Sequence, residues 1–166
     1  VESRGLGDVY KRQGIFREAD DLGDGELIDR IKDSAKQKGT GRWASIEALK
    51  QGVDISMITS ACTARIMSNH LDEREKAWQL IHSPAVGLSP DKESFAAMVR
   101  EALYTGKIIA YAQGFSLMQD ASRLYGWNLD LGKIASIFRA GCIIQAVFLN
   151  DITHAFEAEP KPESLI

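Results

Sequence analysis

Cysteine is scarce: Cys62 and Cys142 are the only two in 166 residues. Two thiols so far apart cannot build a metal cluster alone. Each stands among apolar or small neighbours, so a pair of buried thiols in a reducing, cytoplasmic compartment is expected. Proline is scarce too, at 4 residues, and 45% hydrophobic against 26% charged residues is far from the composition of a disordered chain. The net charge is -3 and there is no long basic stripe, which argues against a nucleic-acid partner, since such binding needs many cations focused on one face. Unbroken apolar runs are lacking as well. Arg139, Gln145 and Asp151 interrupt the most hydrophobic stretch, so no segment reads as a membrane span. The first residues have no apolar core of the signal-peptide kind. His70, His82 and His154 lie far apart without ligand spacing, so no metal site is expected. Nucleophile motifs built on Ser or Cys are absent, and no carboxylate pair stands out as a general acid and base. No catalytic residue is therefore expected in this chain.

What is present has the length of one domain and enough apolar mass for a core. Residues 1–13 differ from the rest, and the run Asp8-Val9-Tyr10-Lys11-Arg12-Gln13 resembles a translated sequencing adapter. They are expected to be a non-native or disordered leader, with the native sequence starting at Gly14. Beyond it the pattern is helical. Leu27, Ile28, Ile31 and Ala35 predict a helix over Glu26 to Gln37. Lys38-Gly39-Thr40-Gly41 breaks it, since two glycines so close make a poor helix interior. A second helix is predicted over Trp43 to Lys50, stopped by Gly52, and a third follows an Asp54 cap through Ile55, Ile58, Cys62, Arg65 and Ile66. Asp72 to Ile81 reads as a short charged helix, and His82 to Pro90 as a loop. Ser89-Pro90 would start a long helix of wide apolar coverage ending at Gly126. Leu131 to Leu149 reads as a second strongly apolar helix, with Ala140 and Gly141 small enough to admit a neighbour. Phe156 closes the last helical turns before Glu159-Pro160-Lys161-Pro162 ends them. The fold class expected is all-α, a multi-helix bundle, and the two greasy helices suit a larger fold or a dimer interface.

Chemistry is suggested in two places. Lys38-Gly39-Thr40-Gly41 offers an ammonium, a hydroxyl and exposed backbone N–H groups just before a helix, which suits an anion. It matches neither the Walker pattern nor the dinucleotide fingerprint, and a plain turn between helices is the alternative. Arg65 lies on an otherwise apolar helix face, where an arginine pairs with an anion, reaches water, or takes a nearby acidic partner. Arg139 is best read as a satisfied structural arginine at a helix contact. His70, His82 and His154 read as surface or capping residues.

Several motifs together resemble one family. Gln37-Lys38-Gly39-Thr40-Gly41-Arg42-Trp43 is similar to the Q-K-G-T-G-K-W signature of 6-phosphogluconate dehydrogenases, with arginine for lysine at position 42. Ile31-Lys32-Asp33-Ser34-Ala35 resembles I-x-D-S-A, and Ala64-Arg65 falls on the family's A-R. The stretch from Lys107 to Phe115 resembles K-I-I-S-Y-A-Q-G-F, and that from Phe138 to Ile144 resembles W-R-G-G-C-I-I. The matches are colinear from about Leu27 to Phe156.

The resemblance implies that residues 14–166 are part of the family's helical C-terminal domain. The Rossmann domain, the general-base lysine, the general-acid glutamate and the C-terminal tail are all expected outside this chain. It further implies a parent enzyme that oxidises 6-phosphogluconate with NADP and decarboxylates the product to ribulose 5-phosphate, working as a homodimer. The substrate phosphate would be held by Lys38, Thr40 and Arg65, in keeping with the anion site read from the residues. A free-standing helical dimerisation or binding module without catalysis is the alternative.

Overall fold

The computed structural model describes residues 14–81, 87, 91–158, 162 and 165. The expected leader over 1–13 lies outside them, as do nearly all of the loop over 82–90 and most of the stop at 159–162. The described residues hold six α-helices, one 3-10 turn and no strand beyond an isolated bridge between Ala19 and Glu26. The class is all-α. Among the described residues no helix is long and apolar enough to cross a membrane.

The chain divides into two compact units, one from residues among 1–33 and 128–165, the other from residues among 34–127. The second unit contains α1 (Thr40–Gln51), α2 (Ser56–Ser68), α3 (Leu71–Leu80) and α4 (Lys92–Tyr125). Its helices begin and end on local chemistry. Gly52 (φ 72°) and Gly126 (φ 66°) adopt the left-handed conformation that stops α1 and α4, as their sequence positions predict. The cap position of α2 is Ile55, not the expected Asp54, whose carboxylate accepts the Ser56 N–H at 2.9 Å from one residue further ahead.

The start of α4 is a correction. It falls at Lys92, not at Ser89-Pro90, which lie outside the described residues. The Asp91 carboxylate accepts from the N–H groups of Glu93 (3.0 Å) and Ser94 (2.9 Å), which satisfies two amides of the first turn and places an anion at the positive end of the helix. The Ser94 N–H and the other donors around it hold the Asp91 carboxyl below the usual carboxylate range.

Ala48, Ile55, Ala112, Phe115 and Ala121 form the buried core of this unit. Gln113 is buried beside them. Its Oε1 accepts the Met57 N–H at 3.0 Å, while its Nε2 donates to Asp54 Oδ2 (3.0 Å) and Ser56 Oγ (3.1 Å). The middle of α4 thereby holds the first turn of α2. The front of α4 differs: Phe95, Met98, Val99 and Leu103 are exposed, so the wide apolar coverage read from the sequence is only partly used within this chain.

The helix expected over 26–37, whose first part lies in the first unit, is not formed. Leu27–Arg30 is a single 3-10 turn, and residues 32–38 carry no regular secondary structure. A hairpin-like return takes the segment's backbone groups instead. The Leu27 N–H donates to the Glu18 carbonyl and the Asp20 N–H to the Gly25 carbonyl, and Arg30 Nε donates to Asp20 Oδ2 at 2.9 Å.

The helix expected over 131–149 is broken as well. The unit holds α5 (Leu131–Ile137) and α6 (Leu149–Glu157), separated by turns in which Gly141 has φ 66°. Arg139 spans the break, donating to the Ser136 carbonyl (3.3 Å) and to Asn150 Oδ1 (3.1 Å), which is the structural role expected of it. Helices α5 and α6 pack through Leu131, Ala135, Leu149, Ile152 and Phe156. The small residue at this contact is Gly132, not Ala140 or Gly141: a Cβ there would lie 3.5 Å from Phe156 Cβ and from the Thr153 carbonyl oxygen.

Both cysteines are free thiols, half-buried rather than fully buried. His70 stands at the start of α3 with Nδ1 3.3 Å from Glu73 Oε2, His154 is exposed, and His82 lies outside the described residues.

Candidate functional site

The glycine loop delivers the chain directly into α1, which starts at Thr40, three residues earlier than the spacing of apolar residues predicts. Gly39 precedes it with φ 104° and ψ −22°, and no side chain caps the helix. The first amide to find a carbonyl is that of Trp43, which donates to Gly39 O at 2.9 Å. The preceding N–H groups of the first turn are left to face a ligand or water, with the positive end of the helix dipole behind them.

Gly39 is required by its backbone conformation, and both glycines stand close to a neighbouring side chain. A Cβ on Gly39 would sit 3.2 and 3.3 Å from carbons of the Trp43 ring, which covers it. A Cβ on Gly41 would sit 3.4 Å from Cys62 Sγ, so α1 and α2 meet closely there.

Helix α2 runs along the loop and grips it at successive turns. Thr59 Oγ1 and Ser45 Oγ are 3.0 Å apart, and Ser45 Oγ donates to the Gly41 carbonyl. The Cys62 thiol donates to Gln37 Oε1 at 3.2 Å. Arg65 Nη2 donates to the Lys36 carbonyl at 2.6 Å. Ser68 and Asn69 reach Ala35 and Ser34. Positions 59, 62, 65 and 69 recur every three or four residues, as one helix face requires, and they meet the loop in descending order.

Cations outnumber acids along this strip, in which Asp33 precedes Ser34. Lys38, Arg42 and Arg65 are exposed, the first turn of α1 contains no acidic residue, and among the described residues no carboxylate pairs with Lys38 or Arg65. Cations gathered at a helix N-terminus are unfavourable by themselves, because the dipole there favours anions. The acidic partner considered for Arg65 is absent among the described residues. Its partner is a carbonyl, which orients the guanidinium and leaves its charge uncompensated. Lys38 and Thr40 flank Gly39, and Arg65 is bonded two residues upstream of Lys38, so the three residues singled out in the sequence lie along one short stretch. Gln37, Cys62, Ser68 and Asn69, which support that stretch, were not singled out. Their partners lie some 25 to 35 positions away in sequence, and a periodic helix reading of 26–37 hides them.

This arrangement suits a compact dianion: an ammonium, a hydroxyl, a guanidinium and unsatisfied amides can all donate to it. It contains no acid–base pair. Among the described residues there is no group of three potential metal ligands either. The class so defined is an all-α domain with a cation-flanked glycine loop whose free donors suit an anion. Residues 10–166 match the family model described as 6-phosphogluconate dehydrogenase, C-terminal domain, and the chain belongs to that family. It is 45% identical over 152 residues to the decarboxylating 6-phosphogluconate dehydrogenase of Lactococcus lactis subsp. lactis, covering 92% of this chain and 32% of that protein. The mouse protein of the same name is 46% identical over 142 residues, covering 85% and 29%. The chain thus spans about a third of the length of these curated relatives. A solved structure of the Plasmodium falciparum 6-phosphogluconate dehydrogenase, reported free, with its cofactor NADP+ and with its substrate 6-phosphogluconate, superposes with a TM-score of 0.81 at 34% identity. It covers 99% of this chain and 39% of that one.

Proposed function

We propose that this chain is the phosphate-gripping part of a 6-phosphogluconate dehydrogenase, an NADP-dependent enzyme that oxidises and decarboxylates 6-phosphogluconate to ribulose 5-phosphate. The observation that carries the reading is the uncapped, cation-flanked start of α1, with Arg65 tied to the strip that leads into it. Lys38, Thr40 and Arg65 hold the substrate phosphate. Anchoring that far end fixes the sugar chain against the groups that react, which converts binding energy into orientation. The described residues include no strand followed by a glycine fingerprint, so they do not fit the usual dinucleotide pocket, and no hydride or proton step is assigned to them. The exposed apolar front of α4 supports assembly as a homodimer, in which Phe95, Met98 and Leu103 would be covered. Two free thiols and the absence of a disulfide among the described residues accord with a cytoplasmic enzyme.

The test is a chimera in which residues 14–166 replace the matching third of the Lactococcus lactis relative, assayed for NADPH formation from 6-phosphogluconate. Lys38→Ala or Arg65→Ala removes one charged contact, about 1.5–3 kcal/mol, and should raise KM for 6-phosphogluconate roughly ten- to a hundredfold. KM for NADP should stay put. Equal rises for both ligands would mean that these residues act through folding, and the reading would fall.

A further inference from the structure

We infer that Ser68 and Asn69, at the C-terminal end of α2, are positioning residues of the anion site: they clamp residues 34 and 35 to the helix and so fix where Arg65 and Lys38 meet one ligand. The inference rests on the phosphate reading of Lys38, Thr40 and Arg65.

The bonds close a circuit that begins and ends at Arg65. From its carbonyl, one arm accepts Ser68 Oγ at 2.8 Å, and that hydroxyl accepts the Ala35 N–H at 2.9 Å. A second arm accepts Asn69 Nδ2 at 2.7 Å, which also donates to the Ala35 carbonyl at 3.1 Å. Asn69 Oδ1 accepts the Ser34 hydroxyl at 2.8 Å. One residue further on, the Lys36 carbonyl accepts Arg65 Nη2 at 2.6 Å. Both main-chain groups of Ala35 are thus held by side chains of α2, and Arg65 is held at its backbone and at its guanidinium. Lys38 follows two residues later.

The end of α2 uses only part of this clamp: the Ser68 and Asn69 side chains cap the Arg65 carbonyl, but their bonds to Ser34 and Ala35 satisfy no group of the helix. The Asn69 and His70 N–H groups already return to the Ile66 and Met67 carbonyls. Nor does the core need it: Ala35, Lys36, Arg65 and Asn69 are exposed, while α2 is tied to the rest of its unit at the other end, through buried Ile55 and through Gln113. A chain strip without regular secondary structure would otherwise let Lys38 wander relative to Arg65. A displacement of about 1 Å is enough to spoil a multi-point grip.

The experiment titrates the 166-residue chain with inorganic phosphate and follows the backbone amide shifts of Gly39 and Gly41. Ser68→Ala and Asn69→Ala should each weaken phosphate binding about tenfold and speed hydrogen exchange at the Ala35 amide, with urea midpoints close to that of the wild type. Ser68→Thr keeps the hydroxyl and should bind as the wild type does. The inference is overturned if the two alanine variants bind phosphate normally, or if their affinity and urea midpoint fall together while Ser68→Thr gives no rescue. A wild-type chain whose amides ignore phosphate, or a Lys38→Ala variant that binds it unchanged, would sink the underlying phosphate reading and the clamp with it.

Discussion

Replacing Gly39 by alanine perturbs the glycine loop at its tightest point. The residue has φ 104° and ψ −22°, well outside the small left-handed basin open to alanine, and such a conformation costs about 1–3 kcal/mol. The new methyl would also lie 3.2 and 3.3 Å from the Trp43 ring carbons, so the ring of this exposed residue must give by a few tenths of an ångström. Gly52, at the other end of the same helix, is the matched control. It has φ 72° and ψ 27°, and a Cβ there meets nothing within 4 Å, so alanine should cost only about 1 kcal/mol. Equilibrium urea unfolding of the two variants side by side should therefore show Gly39→Ala as the more destabilised by roughly 1–2 kcal/mol. Gly39→Ala should also lose phosphate affinity, because Lys38 and Thr40 are its chain neighbours, whereas Gly52→Ala should retain it. Equal unfolding costs would refute the ring contact. Intact phosphate binding by Gly39→Ala would refute the claim that this backbone conformation builds the site.

Other outcomes follow from particular contacts. Gln113→Leu removes three part-buried hydrogen bonds, to the Met57 N–H, Asp54 and Ser56, and should cost about 1–2 kcal/mol by urea unfolding; a loss below about 0.5 kcal/mol would mean that water replaces the amide freely. Leu149 is fully buried between α5 and α6, and Leu149→Ala should cost about 2–5 kcal/mol, read as loss of amide protection in those two helices. The Tyr125 hydroxyl donates to Glu47 Oε1 at 2.5 Å; that bond is the main reason the Glu47 carboxyl sits below its ordinary 4.5 and the Tyr125 phenol above its ordinary 10.0. The Glu47 contribution is present above 4.5 and is lost as pH falls through the lowered value, while that of Tyr125 is present below 10.0 and is lost as pH rises through the raised one. The difference in urea midpoint between wild type and Tyr125→Phe should accordingly be widest near neutral pH and close at both extremes; a difference independent of pH would show that the hydroxyl matters only by packing.

The parts of the fold legible in the sequence are those set by neighbouring residues. Gly52 and Gly126 stop their helices because left-handed geometry is a property of the residue itself, and Asp54 misses the cap of α2, Ile55, by one residue while still bonding the Ser56 N–H. The glycine loop was legible for the same reason. Two stretches with helical spacing do not form continuous helices, because distant partners decide there. Over 26–37 the apolar spacing is helical, yet the backbone there is claimed by Glu18 on one side and, around Ala35, by Ser68 and Asn69, 33 and 34 positions away. Over 131–149 apolar content fills the whole stretch, so nothing in the period marks the break that Gly141 and the Arg139 bridge to Asn150 impose. Of the proposed site, Lys38, Thr40 and Arg65 are named from residue type and resemblance. Ser68 and Asn69 are not legible there, because their bonds depend on which strip of chain lies beside the helix.

The most direct test of the phosphate grip is phosphorus NMR of 6-phosphogluconate titrated with pH in the presence of this chain. Gathered cations favour the dianion, so binding should move the phosphorus resonance and lower the second phosphate pKa below its usual value of about 6, and Lys38→Ala with Arg65→Ala should abolish both effects. A phosphorus signal that titrates alike with and without the chain, or a shift that survives loss of both cations, would contradict the account.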